Sequence, residues 1–563
     1  MLIKSTLNDK KPIKSGMKAK YRQLIDSILG GDITTRQELE DAKRDICADL
    51  GLSAFPKNSE ILRQATAEEN KRLLPLLQKK PARTLSGVAV VAAMTAPSKC
   101  PHGRCKYCPG GPDINVPQSY TGKEPATRRA IQYDFNPYLQ TTFRLKQLKD
   151  IGHPIDKVEL IVMGGTLTAQ PLDYQDWFVK NCLMAMNDFW ENEKQINTVG
   201  QEEFIKKYLK TPRPFKYRQD VQAENEESKN RCVGITFEPR PDWCRQEQIN
   251  FMLEFGVTRV EIGVQNPDDK IYEMVDRGHT VKDVVDATRE CKDSALKIGY
   301  HMMPGIMGYN PKLDMEAFKK IFEDERFKPD MLKIYPCIIL NGTDYYKYWK
   351  AGEFEPLTTG QAVDLIVEVK KIMPKWVRTM RIMRDIPSNL VEAGIKSSNL
   401  GQLVHQKMEE KKASCKCIRC REVGQKMKEG LTPDAENIKL LKETYEASDG
   451  TEVFLSFEDV EQDILIGFLR LRIPAKPFRK EITSSTALVR ELHVYGPMLE
   501  LGEKPEYEWQ HRGYGRELLA EAERIAKDEY GKDKMTVISG IGVRNYYRKL
   551  GYARDGAYMS KKL

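Results

Sequence analysis

Three cysteines, Cys100, Cys105 and Cys108, lie within nine residues in the stretch Cys-Pro-His-Gly-Arg-Cys-Lys-Tyr-Cys-Pro-Gly-Gly, here called the cysteine loop. The prolines and glycines between them place the thiols on one tight loop rather than along a helix face. Thiolates gathered this closely favour zinc or an iron–sulfur cluster. A structural zinc site takes four protein ligands, with His102 as the candidate fourth, whereas a four-iron cluster held by three cysteines keeps one iron open for a small molecule. The loop predicts one of these two metal sites, and three ordinary reduced cysteines are the remaining alternative.

The cysteine loop follows the first of six predicted strands. Short β-rich runs alternate with longer helical segments between residues 81 and 390, which is typical of a parallel α/β sheet or an open barrel. Active sites of such folds lie at the carboxyl ends of the strands. The predicted strands are Ser86–Met94, Lys157–Met163, Arg231–Phe237, Arg259–Val264, Lys297–Met303 and Met331–Tyr335.

Glycine or polar residues stand at the end of each predicted strand. Gly164, Gly165 and Thr166 end the second strand, where glycines let backbone groups approach a ligand. A glycine pair alone is more often a simple turn, but six such strand ends in succession predict a binding site along this edge. The further candidates are Glu238, Glu261, Gln265, the segment 303–305, Lys333 as a catalytic residue, and Tyr335.

A second cysteine cluster, Cys415, Cys417 and Cys420, lies in a stretch rich in lysine, arginine and glutamate. A linker without a core of its own gains folding energy from a structural zinc ion. His405 is the nearest upstream candidate for a fourth ligand. We therefore predict a zinc-binding linker over residues 391–445, with a second iron–sulfur centre as the alternative.

Residues 446–563 predict a separate α+β domain. The sequence Gln-His-Arg-Gly-Tyr-Gly at residues 510–515 directly opens a predicted helix. Glycines at that place expose backbone amides at the positive end of the helix, which suits a pyrophosphate. With the sequence Asn-Tyr-Tyr-Arg-Lys-Leu-Gly-Tyr at 545–552, it resembles the acetyl-coenzyme A (acetyl-CoA) site of GNAT-type acetyltransferases.

The GNAT resemblance implies an acetyl-CoA site and a tyrosine general acid near the thioester. Tyr546 or Tyr547 matches that place, although both could be core aromatics of the last helix. The residues expected at the cofactor are Gln510, Arg512, Gly513, Tyr514, Gly515, Arg516 and Tyr546, together with Glu491 and His493 on the central strand.

The part of the chain around the cysteine loop is similar to the radical S-adenosylmethionine (SAM) superfamily. A cysteine-rich loop after the first strand, Gly-Gly-Thr after the second and an acid after the third carry this resemblance, with C-x4-C-x2-C in place of the commoner C-x3-C-x2-C. The wider text, including Tyr-Cys-Pro-Gly-Gly-Pro-Asp, Gly-Ile-Thr-Phe-Glu-Pro-Arg-Pro-Asp and Arg-Asp-Ile-Pro-Ser, closely resembles the family of Elongator catalytic subunits of archaeal type. The family implies a partial parallel (β/α) barrel and a 4Fe–4S cluster on the cysteine loop. It also implies SAM at the strand ends that include Gly164, Gly165, Thr166, Glu238 and Gln265.

Two basic stretches are candidate tRNA contacts. Residues 1–80 read as helical, with a capping box from Thr35 to Glu38, and seven basic residues face one acid between Lys4 and Arg22. Between residues 370 and 384, three arginines recur at every third position, which predicts one side of a helix or of a tight turn. A solvated charged face is the alternative for both stretches. The Elongator resemblance implies that the second stretch faces the tRNA, and the basic amino-terminal stretch would extend that footprint. The residues expected to bind tRNA are therefore Lys14, Lys18, Lys20, Arg22, Arg378, Arg381 and Arg384.

The composition is that of a globular protein with more than one domain. The chain has 563 residues, of which 30% are charged and 40% hydrophobic, and its net charge of +9 permits a polyanionic partner without requiring one. It contains no apolar run of membrane-spanning length and no secretory leader, so we expect a cytoplasmic protein without a membrane partner. Twelve cysteines in such a chain argue against a disulfide framework. Self-association or Elongator-type subunits stay open as partners.

The two resemblances together imply one reaction. A 5′-deoxyadenosyl radical derived from SAM would take hydrogen from the acetyl methyl group, which would then add to C5 of the wobble uridine of a tRNA. Loss of coenzyme A would leave carboxymethyluridine, so we predict a tRNA uridine(34) C5-carboxymethyltransferase. One alternative is a protein lysine acetyltransferase, with Glu491 or His493 as base and the barrel as a scaffold. Another is a non-enzymatic RNA-binding assembly subunit with structural metal clusters.

Overall fold

The computed structural model describes residues 15–52, 55–78, 87–211, 215–495 and 513–563. Contacts between Cα atoms divide the chain into two compact units, one of residues 1–84 and 143–155 and one of residues 85–142 and 156–563. No helix within the described ranges combines the length and the apolarity needed to cross a membrane. Of the candidate residues, Lys14, Gln510 and Arg512 lie outside the described part.

The first unit is helical near the amino terminus, as predicted. Its helices are α1 (Ser15–Gly30), α2 (Arg36–Leu50), α3 (Asn58–Leu62) and α4 (Ala67–Leu77). The predicted capping box is confirmed, because Thr35 Oγ1 accepts a hydrogen bond from the Glu38 amide and the Glu38 carboxylate accepts one from the Thr35 amide. Apolar side chains from all four helices form one buried core.

The second unit begins with an open sheet of parallel strands and surrounding helices. The strands are β1 (Ala89–Met94), β2 (Lys157–Met163), β3 (Arg231–Phe237), β4 (Arg259–Gln265), β5 (Lys297–Met302), β6 (Met331–Ile334), β7 (Ile339–Leu340), β8 (Arg378–Ile382) and β9 (Val391–Ala393). The helices are α5 (Pro125–Gln132), α6 (Pro137–Asp150), α7 (Leu172–Asn187), α8 (Phe189–Val199), α9 (Gln201–Lys210), α10 (Arg218–Glu227), α11 (Gln246–Phe255), α12 (Asp269–Met274), α13 (Val281–Asp293), α14 (Pro311–Glu323), α15 (Asp344–Lys350), α16 (Thr359–Lys371), α17 (Leu400–Glu410), α18 (Ile418–Arg421) and α19 (Val423–Lys428).

The sheet runs in the order β1-β2-β3-β4-β5-β6-β8 with every pair parallel, which confirms the predicted partial barrel. All six predicted strands are present, and β2 and β3 have the predicted bounds. The prediction of a helix or tight turn for the three arginines was wrong, because Arg378 and Arg381 lie on β8. Pairing of β8 with β6 overrides the helix-like spacing of the basic residues.

A mixed second sheet follows. Its elements are β10 (Ile438–Ala447), β11 (Gly450–Asp459), β12 (Ile464–Ile473), β13 (Thr486–Val494), α20 (Tyr514–Arg524) continued by a π-helical segment Ile525–Glu529, β14 (Lys534–Val537), α21 (Arg544–Arg548), β15 (Ala553–Asp555) and β16 (Tyr558–Lys562). The strand order is β10-β11-β12-β13-β14-β16-β15, and β13 pairs with β14 in parallel while the other neighbours are antiparallel. The predicted α+β domain is present, and its first strand, β10, lies in the stretch predicted as linker.

Buried ion pairs join the two sheets of the second unit. Asp330, directly before β6, accepts hydrogen bonds from Arg490 at 2.6 and 2.7 Å. Arg490 also donates to Glu452 at 2.9 Å, and Arg472 links Glu452 to Asp293 on α13. These five side chains are at most 1% exposed. We call them the junction network.

Further contacts place the second sheet at the edge where the parallel strands begin. A Cβ on Gly540 would lie 2.1 Å from the carbonyl oxygen of Val233, near the start of β3. Arg544 donates to Glu226, at the end of α10, at 2.9 Å. The second sheet therefore packs against the amino ends of the strands, and the cysteine loop follows a carboxyl end.

Removing the central charge of the junction network should destabilise the second unit. Asp330→Asn removes one buried carboxylate and leaves Arg490 with Glu452 alone and Arg470 with Glu491 alone, so the buried charges no longer balance. Breaking a buried pair in this way costs about 3–5 kcal/mol. We expect a lower midpoint of thermal unfolding by calorimetry. Lys347→Gln, which removes an exposed pair with Asp344, is the control and should leave the midpoint unchanged. Equal midpoints for both variants would contradict a stabilising role of the network.

Candidate active site

The cysteine loop holds three thiols beside the carboxyl end of β1. Cys105 and Cys108 are buried and Cys100 is half-buried. Gly110 closes the loop with a φ of +59°, and a Cβ there would lie 1.9 Å from the Tyr120 carbonyl oxygen. Only glycine fits such a turn, so the backbone fixes where the loop ends.

Every thiol of the loop has a polar hydrogen-bonding group beside it. Donors that reach a metal-ligating sulfur orient the ligand and tune its basicity. The closest pairs are His102 Nε2 with Cys105 Sγ at 3.2 Å, Gln118 Nε2 with Cys108 Sγ at 3.2 Å, and Thr166 Oγ1 with Cys100 Sγ at 3.8 Å.

Two buried arginines bring positive charge to the loop. Arg277 donates to Cys105 Sγ at 3.6 Å, and Arg240 donates to the Arg277 carbonyl oxygen at 2.8 Å. Burial, followed by the charges of Arg240 and Arg277, lowers the pKa of His102 to about 3. The imidazole is therefore neutral at ordinary pH and can donate a hydrogen bond to a thiolate from Nε2.

The spacing of the thiols fits a cluster better than a single ion. The sulfur atoms of the second cysteine cluster all lie within 4.8 Å of one another, whereas within the described residues those of the cysteine loop, with or without His102, form no such group. One zinc ion needs every sulfur at about 2.3 Å, while in an iron–sulfur cluster the cysteines bind different irons and stand further apart. The donor set thus favours a 4Fe–4S cluster over zinc with His102.

The Gly-Gly-Thr segment lies against the chain that enters the cysteine loop. Gly164 has a φ of +107°, and a Cβ there would meet Thr95 Oγ1 at 2.6 Å. Thr95 Oγ1 donates to the Gly164 carbonyl oxygen at 2.9 Å, and the Cβ position of Gly165 lies 3.3 Å from Ser98 Oγ. The structure thus brings the residues predicted to bind SAM next to those predicted to bind the cluster.

Charged side chains from four neighbouring strands meet inside the half-barrel. Lys333 Nζ lies 2.9 Å from Glu238 Oε1 and also contacts Glu261. The Glu261 carboxylate lies 3.0 Å from His301 Nε2 and 3.2 Å from Arg259 Nε as well. Burial opposes these charges, but the Lys333 ammonium lowers the pKa of Glu261 and the two carboxylates raise that of Lys333. Lys333 is therefore a charged hydrogen-bond donor rather than a base. Glu238, Glu261 and His301 could surround a metal ion, but Lys333 already supplies the counter-charge.

Gln265 lies at the same edge of the sheet. It ends β4 with a left-handed φ of +66°, and its carbonyl oxygen accepts a hydrogen bond from the Met303 amide at 2.7 Å. A non-glycine residue held in this conformation is a frequent feature of ligand sites. The strand ends after β2, β3, β4 and β6 therefore all present predicted residues at this edge.

The predicted acetyl-CoA residues gather at the start of α20. Gly513 caps the helix with a φ of +94°, and the Cβ position of Gly515 lies 3.2 Å from Tyr546 Oη and 3.6 Å from Val494. Arg516 is exposed in the first turn, and Tyr514 packs on Phe457 with ring centroids 4.8 Å apart. The end of β13, the start of α20 and Tyr546 thus form one surface at the positive end of the helix.

The two tyrosines of α21 differ in environment. Tyr546 is 39% exposed and faces Gly515, whereas Tyr547 is 5% exposed and belongs to the apolar core of the second sheet. Burial raises the pKa of both hydroxyls, so each is protonated at ordinary pH. Tyr546 alone is placed to reach a ligand on the α20 surface.

Glu491 and His493 face the junction between the sheets. Arg470 donates to Glu491 Oε2 at 2.9 Å, and the His493 ring lies 4.2 Å from that of Tyr495. Burial lowers the pKa of His493 to about 4. Glu491 is neutralised by its partner, and the Nε2 atom of the half-buried His493 is shut off from solvent, so neither is placed as a free base for a peptide substrate.

The second cysteine cluster forms a compact group of three thiols. Lys370 Nζ donates to Cys420 Sγ at 3.3 Å and Thr379 Oγ1 donates to Cys417 Sγ at 3.4 Å. His405 does not belong to the group: its half-exposed ring pairs with Glu409 at 3.4 Å, and among the described residues only the three cysteines have their ligand atoms within 4.8 Å of one another at this place. The assignment of His405 as fourth ligand was wrong, because α17 turns it towards solvent.

The predicted tRNA contacts fall into engaged and exposed residues. In the first unit, Lys20 pairs with Asp49, and Arg22 pairs with Asp26 and Glu69, while Lys18 is exposed and has no partner in the described part. In the second unit, Arg378 donates to Glu422 at 2.5 Å and to Tyr495 at 2.6 Å, so its charge is already paired inside the protein. Arg381 and Arg384 are half-buried on the side of the cysteine loop. Arg381 pairs with Asp385, and Arg384 donates to the Ser119 carbonyl oxygen at 2.7 Å.

Family models match most of the chain. The ELP3 N-terminal domain matches residues 17–85, the radical SAM superfamily residues 95–320, the radical SAM C-terminal domain residues 329–410 and the acetyltransferase (GNAT) family residues 426–552. The tRNA uridine(34) acetyltransferase of Methanocaldococcus jannaschii is 52% identical over 559 residues, which cover 97% of this chain and 98% of that protein. The chain belongs to the Elongator complex protein 3 (Elp3) family.

Other members of the Elp3 family agree with this assignment. Elongator complex protein 3 of Homo sapiens is 41% identical over 536 residues, 93% of either chain. The structure of archaeal Methanocaldococcus infernus Elp3 with an N-terminal deletion superposes with a TM-score of 0.73 at 49% identity, covering 85% of this chain and all of that one. The predicted family is confirmed, and with it a 4Fe–4S cluster and SAM for the radical SAM part and acetyl-CoA for the GNAT part.

Several site residues were missed in the sequence. Arg240, Arg277 and Gln118 surround the cysteine loop, and His301 completes the charged group at the strand ends. Arg240 stands in the Phe-Glu-Pro-Arg-Pro-Asp motif and could have been named from it. The others carry no local signal, because their role arises from contacts across the fold.

A pair of tyrosine variants tests the acetyl-CoA surface. Tyr546→Phe should lower the rate of acetyl-CoA turnover about a hundredfold or more if its hydroxyl is a general acid. Tyr547→Phe should leave that rate nearly unchanged. Both rates are measured by thiol release in the reconstituted enzyme, and the assignment is wrong if Tyr547→Phe is the variant that loses activity.

Proposed function

We propose that this chain is a tRNA uridine(34) C5-carboxymethyltransferase that uses acetyl-CoA and SAM. Net, the acetyl methyl carbon would become bonded to C5 of the uridine, with SAM as the oxidant: its cleavage gives methionine and a 5′-deoxyadenosyl group that would take the methyl hydrogen as an atom and leave as 5′-deoxyadenosine. The C5 hydrogen would leave as a proton, and the electron used to cleave SAM would be returned. Water would then hydrolyse the thioester, which releases coenzyme A and leaves a carboxymethyl group. The observation that carries the proposal is the cysteine loop at the carboxyl edge of a parallel half-barrel that shares a chain with a GNAT domain. Relatives that are 52–55% identical bear the name tRNA uridine(34) acetyltransferase.

At the radical site, the cysteine loop would bind the cluster and the strand ends would bind SAM. The three thiols would hold the cluster, with His102, Gln118 and Thr166 supplying hydrogen bonds to sulfur. With SAM and one electron, such a cluster supplies a 5′-deoxyadenosyl radical able to remove hydrogen from an unactivated C–H bond. The backbone of Gly164 and Gly165 would bind the amino-acid end of SAM, and Glu238 and Gln265 would fix its orientation.

Lys333 would act by charge. Its ammonium, held by Glu238 and Glu261, can donate a hydrogen bond to a carbonyl oxygen of substrate but cannot accept a proton. The thioester carbonyl and the uridine O4 are both acceptors of this kind. Lys333 is therefore the positioning and charge-stabilising group of the proposal rather than its base.

At the second sheet, the α20 start would bind the pyrophosphate of acetyl-CoA and Tyr546 would reach its thioester. Gly513 and Gly515 carry no side chain that would cover the backbone of the first turn, and Arg516 adds a positive charge. Lys18, Arg381 and Arg384 are the basic candidates for tRNA phosphates. Self-association and Elongator-type partners belong to the same proposal, as does a cytoplasmic location.

A protein lysine acetyltransferase is less favoured. That reaction needs a base that accepts the lysine proton, but of the two candidates Glu491 is paired with Arg470 and His493 has its Nε2 atom buried at the junction. It also leaves the cysteine loop and its donors without a role.

The proposed reaction is tested by nucleoside analysis. Anaerobically reconstituted enzyme given tRNA, SAM, acetyl-CoA and a reductant should form carboxymethyluridine and 5′-deoxyadenosine. Cys105→Ala should abolish both products because a cluster ligand is lost, whereas Lys333→Met should lower product formation about a hundredfold or more while keeping the cluster absorbance. Cys47→Ser, far from the loop in sequence and on α2, is the matched cysteine control. Product formed by Cys105→Ala would overturn the proposal, and acetyl-lysine formed in place of modified uridine would favour the acetyltransferase.

We also propose that the second cysteine cluster binds a structural zinc ion. Three thiolates would supply three ligands, and the ammonium of Lys370 would offset their charge. Cys417→Ser should lower the zinc content of the purified protein to a small fraction of one ion and reduce its thermal stability, as measured by metal analysis and calorimetry. Cys337→Ser is the buried control outside both clusters. Iron in place of zinc, lost with Cys417, would instead support a second iron–sulfur centre.

A further inference from the structure

A groove of about 400 Å³ opens between the segments that follow β2 and β3. One wall is formed by residues 168–172 and Gln175 of α7. The other wall is formed by Trp243, in the short 3₁₀-helix Pro241–Trp243, and by Glu247, Gln248 and Phe251 on α11. No ligand of the proposed reaction has been assigned to this groove, which we call the rim groove.

The rim groove adjoins the proposed radical site. Gln170 Nε2 donates to Ser98 Oγ at 2.8 Å, and Ser98 lies just before Cys100 and against Gly165. The opposite wall continues directly from the strand end that carries Glu238. Both walls are formed by segments that directly follow strands of the candidate active site. A ligand in the rim groove would therefore lie beside the molecule that reacts in that site.

The chemistry of the lining selects a neutral, flat and polar-edged ligand. Trp243 and Phe251 are half-buried aromatic side chains, able to stack on a ring. Thr168 is 5% exposed, and its hydroxyl has no hydrogen-bond partner in the described part of the chain. A buried hydroxyl without a partner is costly, and a ligand that hydrogen-bonds to it relieves that cost.

The charges of the lining exclude an anionic ligand. The groove residues include no lysine or arginine, and Glu247 is the one charged side chain among them. Gln170 and Gln175 each donate one amide N–H within the protein, to Ser98 Oγ and to the Gln170 carbonyl oxygen, and their amide oxygens can accept. A phosphate would meet the Glu247 carboxylate and no cationic side chain of the groove, whereas the N–H edge of a heteroaromatic base would find acceptors.

We propose that the rim groove binds a nucleobase next to the target uridine, splayed out of the single-stranded anticodon loop. This inference rests on the proposed function for the identity of the RNA. Proteins read single-stranded RNA by stacking unpaired bases on aromatic side chains and hydrogen-bonding to their edges, which is the pairing of groups found here. An aromatic side chain of a partner protein would fill the aromatic part of the groove but would leave Thr168 without a partner, which is why an RNA base is favoured.

The proposal is tested by affinity of the full-length holoenzyme for an anticodon stem–loop. Trp243→Ala should weaken binding about tenfold to a hundredfold through lost stacking, and Trp243→Tyr should restore most of it. Thr168→Val should weaken binding, while Thr168→Ser should retain it. Trp190→Ala, an exposed tryptophan on α8 outside the groove, is the matched control and should bind as the wild type does. Cluster absorbance and thermal unfolding of each variant check that it is folded.

A stem–loop with an abasic nucleotide on one side of the target uridine locates the base. On that RNA, wild type and Trp243→Ala should bind equally weakly, since the stacking partner is already gone. Photoactivatable thiouridine at the same position should crosslink to the segment that contains Trp243. Two results would overturn the proposal. One is that Trp243→Ala loses the same affinity for abasic RNA as for intact RNA at both flanking positions, and the other is that Trp243→Ala binds the stem–loop as the wild type does. If Trp243→Ala keeps its RNA affinity but loses a bound partner protein, the groove is assigned to that protein. Binding and crosslinking need no turnover, so failure to form carboxymethyluridine would refute the proposed reaction without affecting this result.

Discussion

The buried contact between Asp330 and Arg490 fixes how the second sheet lies on the first. Burial alone would raise the pKa of Asp330, but Arg490 and Arg470 hold it well below its ordinary range, so the carboxylate stays charged inside the protein. A charge buried away from water costs free energy unless a group of opposite charge pairs with it. Here Glu452, Arg472 and Asp293 complete the pairing. Apolar contacts between two sheets could slide, whereas these hydrogen bonds are directional. The junction network thus sets one position of the second sheet.

That position separates the two candidate chemistries. Tyr546 and the last residue of β13, Val494, both lie against Gly515. The next residue, Tyr495, accepts a hydrogen bond from Arg378, the first residue of β8, while the cysteine loop follows the far end of β1. A strand of seven residues, such as β2, spans about 20 Å. Barrel interiors are ordinarily packed with branched apolar side chains. Here the interior between the two sites carries charged groups instead, including Glu159, Arg259, Glu261 and Lys333. The acetyl group and the radical must therefore be brought together along a polar interior.

The sequence predicts the elements better than their contacts. Strands β2 and β3 have the predicted bounds because β-branched runs between polar segments are a local signal, and the capping box at Thr35 is equally local. The glycines after β2 and before α20 stand where the backbone needs them. What was not predicted depends on residues distant in the chain: Arg490 meets Asp330 across 160 positions, and β8 exists because β6 is there to pair with it. His405 was chosen by nearness in sequence, but the direction in which α17 presents it decides its neighbours.

The electrostatics of the cysteine loop are consistent with an anionic group at its centre. Arg277 is buried and has no carboxylate partner within the described residues; its hydrogen bonds go to the Gly263 carbonyl oxygen and to Cys105 Sγ. A buried guanidinium without a counter-charge would be strongly destabilising. Apolar neighbours such as Ile271 and Ile306 keep water away, so solvent cannot supply the missing charge. Three thiolates on a four-iron cluster would supply it, and the cationic side chain would in turn stabilise the negative charge of the cluster. Burying the anionic cluster alone or the Arg277 cation alone would cost free energy, whereas burying them together is favourable. The metal site is therefore needed for the local fold as well as for the chemistry.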